Sequence, residues 1–122
     1  MPTYAITSVT YQRRALFMRT ANADLLLGTI FQYRDQGRYL LHGFAIMPEH
    51  IHVLLTPSIQ QTIERCAQCI KGGFSHRVRD RIDFENQLAY IAANPERRKL
   101  VNYAYVHTNF PDKMNSLPPC SA

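Results

Sequence analysis

Two histidines separated by one residue, His50 and His52, offer the most specific chemistry in this 122-residue chain. On a strand, alternation sends both imidazoles to one face with Cα atoms about 7 Å apart, close enough for the two rings to share a divalent cation. Ile51, Val53 and Leu55 then point the other way, into a core. Two other histidine-rich chemistries fail on their residues. A histidine-triad hydrolase needs a third histidine where Leu54 stands, and a metallo-β-lactamase-type site needs Asp and His where the chain has Leu55 and Thr56. Alone, a His-x-His pair suits a solvated sheet face as well as a ligand pair.

A second group lies further along the chain. Tyr90 and Asn94 are four apart and share a helix face, with Gln87 beside them, next to the apolar stripe Phe84, Leu88 and Ile91. A tyrosine at such a margin rests its ring on the core and turns its hydroxyl to solvent or substrate. The plainer role is packing for Tyr90 and helix closure for Asn94, because Pro95 disfavours helical geometry at the residue before it and predicts a helix end there. Cys66 and Cys69 lie well inside a predicted helix, where no dipole lowers a thiol pKa and no second cysteine pair follows. They read as core and incidental, and His42 and His107 as structural or surface residues.

The elements that must position these groups follow from pattern. Residues 3–11 alternate and are rich in Tyr, Ile, Val and Thr, predicting a strand. Asn22 is placed to cap a helix over 23–35, closed by Gly37. Residues 39–46 and 50–56 form a hairpin through the short turn at 47–49. Ser58 and Gln61 make a capping-box pattern for a helix to about residue 71, before Gly72 and Gly73. A short strand is expected around 77–79, ahead of the tyrosine helix. The order β-α-β-β-α-β-α predicts an α+β fold, a ferredoxin-like antiparallel sheet with helices on one face. From residue 109 on, Pro111, Pro118 and Pro119 predict a flexible tail, leaving one domain over 1–108.

Composition narrows the function classes. With 46% hydrophobic and 19% charged residues the chain can bury a core, and nothing suggests a disordered or fibrous protein. Fourteen Lys and Arg against nine Asp and Glu leave +5, a field that attracts polyanions, nucleic acid first among them. No run is long and apolar enough to span a bilayer and the N-terminus lacks a signal-peptide layout, so no membrane partner and a cytoplasmic location are expected. Three cysteines are too few for a disulfide scaffold, and a reducing compartment fits them.

Several ordered strings carry a resemblance: TSVTYQRRALF at 7–17, MPEHIHVLLTP at 47–57, IKGGFS at 70–75, HRVRD at 76–80 and FENQLAYIAANPERRKLV at 84–101. Together they resemble the single-tyrosine HUH transposases, and among these the REP-associated tyrosine transposases. The resemblance implies that His50 and His52 are metal ligands, that Asn94 supplies a third, and that Tyr90 is the nucleophile. It implies Mg²⁺ or Mn²⁺ as cofactor, single-stranded or hairpin DNA as partner, and strand transfer through a 5′-phosphotyrosine link. Arg13, Arg14, Arg77, Arg79, Arg97, Arg98 and Lys99 are the candidate DNA contacts, with Tyr11 or Phe74 as stacking surfaces. One departure stands out. Members carry a longer, Trp-bearing stretch where Phe74 and Ser75 here run straight into His76, which reads as an internal deletion near 74–77. A DNA-binding relic without catalysis is the alternative that this raises, and a homodimer with composite sites is another way for a short connector to work.

Overall fold

The computed structural model describes residues 2–58, 74–100 and 102–117. Strands β1 (Tyr4–Val9), β2 (Tyr39–Ile46), β3 (His50–Pro57) and β4 (Phe74–Arg77) form one antiparallel sheet in the order β2-β3-β1-β4. This is the expected α+β architecture with the split βαβ strand order. β4 starts earlier than residues 77–79: β1 needs a partner along its outer edge, and the run from Phe74 supplies it, pairing Phe74 with Thr7 and Arg77 with Tyr4. The helix predicted to residue 71, with Cys66 and Cys69, lies outside the described residues.

Helix α1 (Thr20–Asp35) packs Ala23 and Ile30 on Ile51, Val53, Leu55, Ile6 and Phe44. It begins three residues before the expected start. Asn22 is inside its first turn rather than at the cap, because its Nδ2 donates 2.8 Å to the Leu16 carbonyl and ties the preceding turn to the helix. Gly37, at φ 77°, takes the left-handed backbone that ends the helix.

Helix α2 (Arg81–Arg97) packs on the opposite face. Its Phe84, Leu88 and Ile91 meet Leu54, Ala45 and Met47. Helices therefore cover both faces, where the pattern had suggested one. The cause is β3 itself, apolar at Leu54 as well as at Ile51, Val53 and Leu55, so neither face can be left to water. Gly43 lets α2 come close, since a Cβ there would lie 2.6 Å from Leu88 Cδ1. Asp80 caps α2 by accepting from the Asp83 amide. The helix also runs past Asn94: Pro95 removes only one amide near the C-terminus, is buried, and its carbonyl accepts from Leu100 N at 2.8 Å.

The expected tail folds back through Leu117. Phe110 sits 5.3 Å from the Phe31 ring and Leu117 is buried. Residue 115 zips onto the β2 edge: its amide donates to the Leu41 carbonyl at 2.6 Å, its Oδ1 accepts from Leu41 N at 3.0 Å, and its carbonyl faces His42 Nδ1 at 2.7 Å. A carbonyl only accepts, so His42 Nδ1 carries the proton and Nε2 accepts from the Thr56 hydroxyl at 2.8 Å. This fills the edge that β2 would otherwise expose. Asn115→Ala strands the buried Leu41 amide and is expected to cost about 1–3 kcal/mol in urea unfolding without loss of secondary structure by circular dichroism.

Candidate active site

His50 and His52 leave β3 on the α2 side, with ring centroids 4.7 Å apart and planes at 80°. Both are buried. Thr7, opposite His52 in the β1 register, holds its Nδ1 at 3.0 Å. Glu49 Oε1 lies 2.9 Å from His50 Nδ1. The Arg98 guanidinium, and secondarily the His50 bond, hold the Glu49 carboxyl down to about 2, so it stays ionised and accepts the His50 Nδ1 proton. Among the described residues, the Nε2 of each imidazole has no protein hydrogen-bond partner and stands as a free donor atom for a cation.

Burial, with electrostatic repulsion from the neighbouring His50 and Arg97 adding to it, lowers the His52 pKa to about 4. His52 is therefore neutral at neutral pH and keeps its lone pair. The linkage sign follows: an unfolded histidine takes up a proton near 6.5 and the folded one resists it, so stability is full above pH 6.5 and falls as pH drops towards 4. The upper bound on that loss is about 3 kcal/mol. Urea unfolding at pH 7.5 and 4.5 is expected to show it, and His52→Gln to shrink the difference, buried His42 and His107, lowered in the same direction, supplying part of the rest.

Opposite the histidines, α2 presents Tyr90 and Asn94 at i and i+4, and Arg98, just past its end at i+8, continues that stripe. Its two ends are fixed. The Tyr90 ring stands edge-on to His52 at 5.7 Å and 89°, and Arg98 Nη1 pairs with Glu49 Oε1. Asn94 lies between them, 6% exposed, and its Nδ2 has no hydrogen-bond partner. Arg97 stacks its guanidinium 4.0 Å over the Tyr90 ring and donates to the Tyr90 carbonyl at 3.2 Å. The tyrosine is 49% exposed, so its hydroxyl is reachable from solvent. His50, His52, Tyr90 and Asn94 thus meet within one chain.

The donor set fits a divalent cation with open positions. No group of three His, Cys, Asp or Glu side chains gathers among the described residues. Two imidazole Nε2 atoms are what the site offers, with the Asn94 amide oxygen as the group that would join them, and neutral ligands of this kind bring no charge of their own to cancel that of the ion.

The candidate DNA contacts divide between the two ends of the sheet. Val9 pairs with His50 and the Thr10 amide donates to the Glu49 carbonyl at 2.9 Å, so exposed Arg13 and Arg14 follow at the histidine end. Arg97, Arg98 and Lys99 end α2 at that same end. Arg77 and Arg79 lie at the far end of β1, by Tyr4, with Arg79 3.5 Å from Asp83. Sequence reasoning passed over Glu49 and Thr7. Glu49 stood beside His50 in the string, a carboxylate next to an imidazole, whereas Thr7 is visible only through strand register.

This ferredoxin-like fold has a counterpart among solved structures. A solved structure of a REP-associated tyrosine transposase bound to a REP hairpin matches it with a TM-score of 0.70 over 95% of this chain and 86% of that one, at 16% identity. A family model described as "Transposase IS200 like" matches residues 2–93, and the chain belongs to that family. No curated protein matches it.

Proposed function

We propose that this transposase cleaves and rejoins single-stranded or hairpin DNA through a covalent link to Tyr90, with Mg²⁺ or Mn²⁺ held by His50, His52 and Asn94. The observation that carries the reading is the Tyr90 ring 5.7 Å from His52, on the side where two imidazoles leave Nε2 free. When bound, the cation supplies Lewis-acid stabilisation of charge on the phosphate and on the attacking and leaving oxygens.

The remaining work falls to the chain. Tyr90 Oη forms the bond to phosphorus, the P–O3′ bond breaks, the phenol proton passes to solvent and the leaving oxygen takes one up as the 3′-OH. The exchange trades one phosphodiester for another, so no nucleotide cofactor is needed, and attack by a 3′-OH on the phosphotyrosine reverses it. Arg97, on the ring and on its backbone carbonyl, restrains where the hydroxyl can reach. Asn94 would hold the cation through its amide Oδ1. Arg13, Arg14 and Lys99 follow the DNA backbone in a salt-dependent way. The hairpin in the matched structure supports hairpin DNA as the substrate here.

The test is incubation with labelled single-stranded hairpin DNA and Mn²⁺, read on a denaturing gel. A protein-linked band is expected. Salt-sensitive binding across a broad hairpin panel with no such band would make the chain a DNA-binding relic.

A further inference from the structure

Glu49 occupies a place that a turn does not require. The connection between β2 and β3 needs only to reverse the chain, yet it carries a carboxylate that is 8% exposed. A carboxylate buried so far is costly unless it is paired. Glu49 is paired on two sides: Oε1 accepts from His50 Nδ1 at 2.9 Å and also meets Arg98 Nη1. Its backbone is fixed too, because the Glu49 carbonyl accepts from the Thr10 amide at 2.9 Å and the Thr10 hydroxyl at 3.0 Å. One carboxylate therefore joins the strand bearing the imidazoles to the residue that follows the helix bearing Tyr90.

We infer that Arg98, Glu49 and His50 form a positioning relay, in which Glu49 fixes the His50 ring with Nε2 towards the cation and Arg98 locks α2 so that Tyr90 faces the same point. This rests on the metal and nucleophile roles proposed above. The two halves are separable. The Glu49 bond selects the tautomer, since a carboxylate accepts only and Nδ1 must carry the proton, leaving the lone pair on Nε2. The Arg98 bond bears on that selection only by keeping Glu49 ionised, but it spans 49 residues of chain and holds the C-terminal end of α2 against the hairpin. Tyr90 lies two turns back on the same stripe, so swinging that end of the helix displaces its hydroxyl.

The test uses the full chain, with Mn²⁺ itself as probe, by calorimetry on the DNA-free protein, and the His50 tautomer from ¹⁵N-resolved imidazole spectra. Glu49→Ala is expected to weaken Mn²⁺ binding about tenfold or more, the range known for outer-shell partners of metal-bound histidines, and to mix the His50 tautomers. Glu49→Gln keeps an acceptor on Nδ1 and is expected to restore both. Arg98→Met is expected to disturb the tautomer and Mn²⁺ binding less than Glu49→Ala does and, at saturating hairpin DNA where a lost phosphate contact does not register, to slow single-turnover adduct formation about tenfold. A folded Glu49→Ala protein with wild-type tautomer and Mn²⁺ affinity overturns the inference, as does an Arg98→Met protein with the wild-type adduct rate. His50→Ala tells the two levels apart. If it loses Mn²⁺ while Glu49→Ala does not, the relay alone is overturned, and if it binds Mn²⁺ as tightly as wild type, the metal reading falls and takes the relay with it.

Discussion

Tyr90→Phe is expected to abolish the covalent protein–DNA band while leaving hairpin binding unchanged. The substitution removes one oxygen and keeps the ring. Its edge contact with His52 and its stacking under Arg97 depend on the ring alone, and the hydroxyl stands on a residue that is 49% exposed, so neither the packing of α2 nor the fold should change. What is lost is the atom proposed to bond to phosphorus. Removing a nucleophile of this kind lowers turnover by at least about a thousandfold, so no band should be visible over many wild-type half-lives. Single-turnover gels and a binding titration on the same hairpin make the comparison. A band of undiminished intensity with Tyr90→Phe would mean that another residue attacks. Cleaved DNA free of protein would mean that water does, in which case the site is a nuclease and not a strand transferase.

Much of this site could be read from the string, and the reasons are local. The His50 and His52 pair is legible because β3 follows a tight turn and alternates, so two positions two apart must share a face. Tyr90 and Asn94 are legible because helix spacing is equally rigid. What the string hides is what depends on the partner across a gap. Thr7 meets His52 only through the β1 register, and the Arg98 bond to Glu49 crosses 49 residues. The layering was missed for a related reason. Leu54 stands among the outward positions of β3, where one apolar residue looks incidental until α2 lands on it. Local rules also gave way to packing at three places. Pro95 is tolerated inside α2 because it is buried near the helix end, Asn22 ties back to Leu16 rather than capping, and residues 107–117 order because the β2 edge has backbone groups to satisfy. Proline content around 111 and 118 describes a chain that resists regular structure, which is different from one that resists packing.

His52→Ala should separate metal binding from stability, and His42 is the control that makes the separation meaningful. Both are buried histidines bonded to a threonine hydroxyl, and burial lowers the pKa of each. They differ in what remains unused. His42 spends both ring nitrogens on Asn115 and Thr56, so His42→Ala strands the Asn115 carbonyl, leaves the Thr56 hydroxyl with Thr3 alone, and is expected to cost about 2–4 kcal/mol while Mn²⁺ binding persists in the folded protein. His52 spends only Nδ1, on Thr7, whose hydroxyl is part-buried and can turn to water once the ring is gone. Its removal is expected to cost no more than about 1–2 kcal/mol of stability. Mn²⁺ affinity, in contrast, should fall by more than about a hundredfold, beyond what outer-shell changes produce, because one of the two imidazoles proposed as ligands has gone. Adduct formation should fall with it even at saturating DNA. The pair of variants, measured by urea unfolding and Mn²⁺ calorimetry, therefore asks whether the free Nε2 of His52 is a functional atom or one that packing happened to leave over. If His52→Ala loses stability and keeps its Mn²⁺, the ring belongs to the core, and the cation must be held by His50 and Asn94 without it.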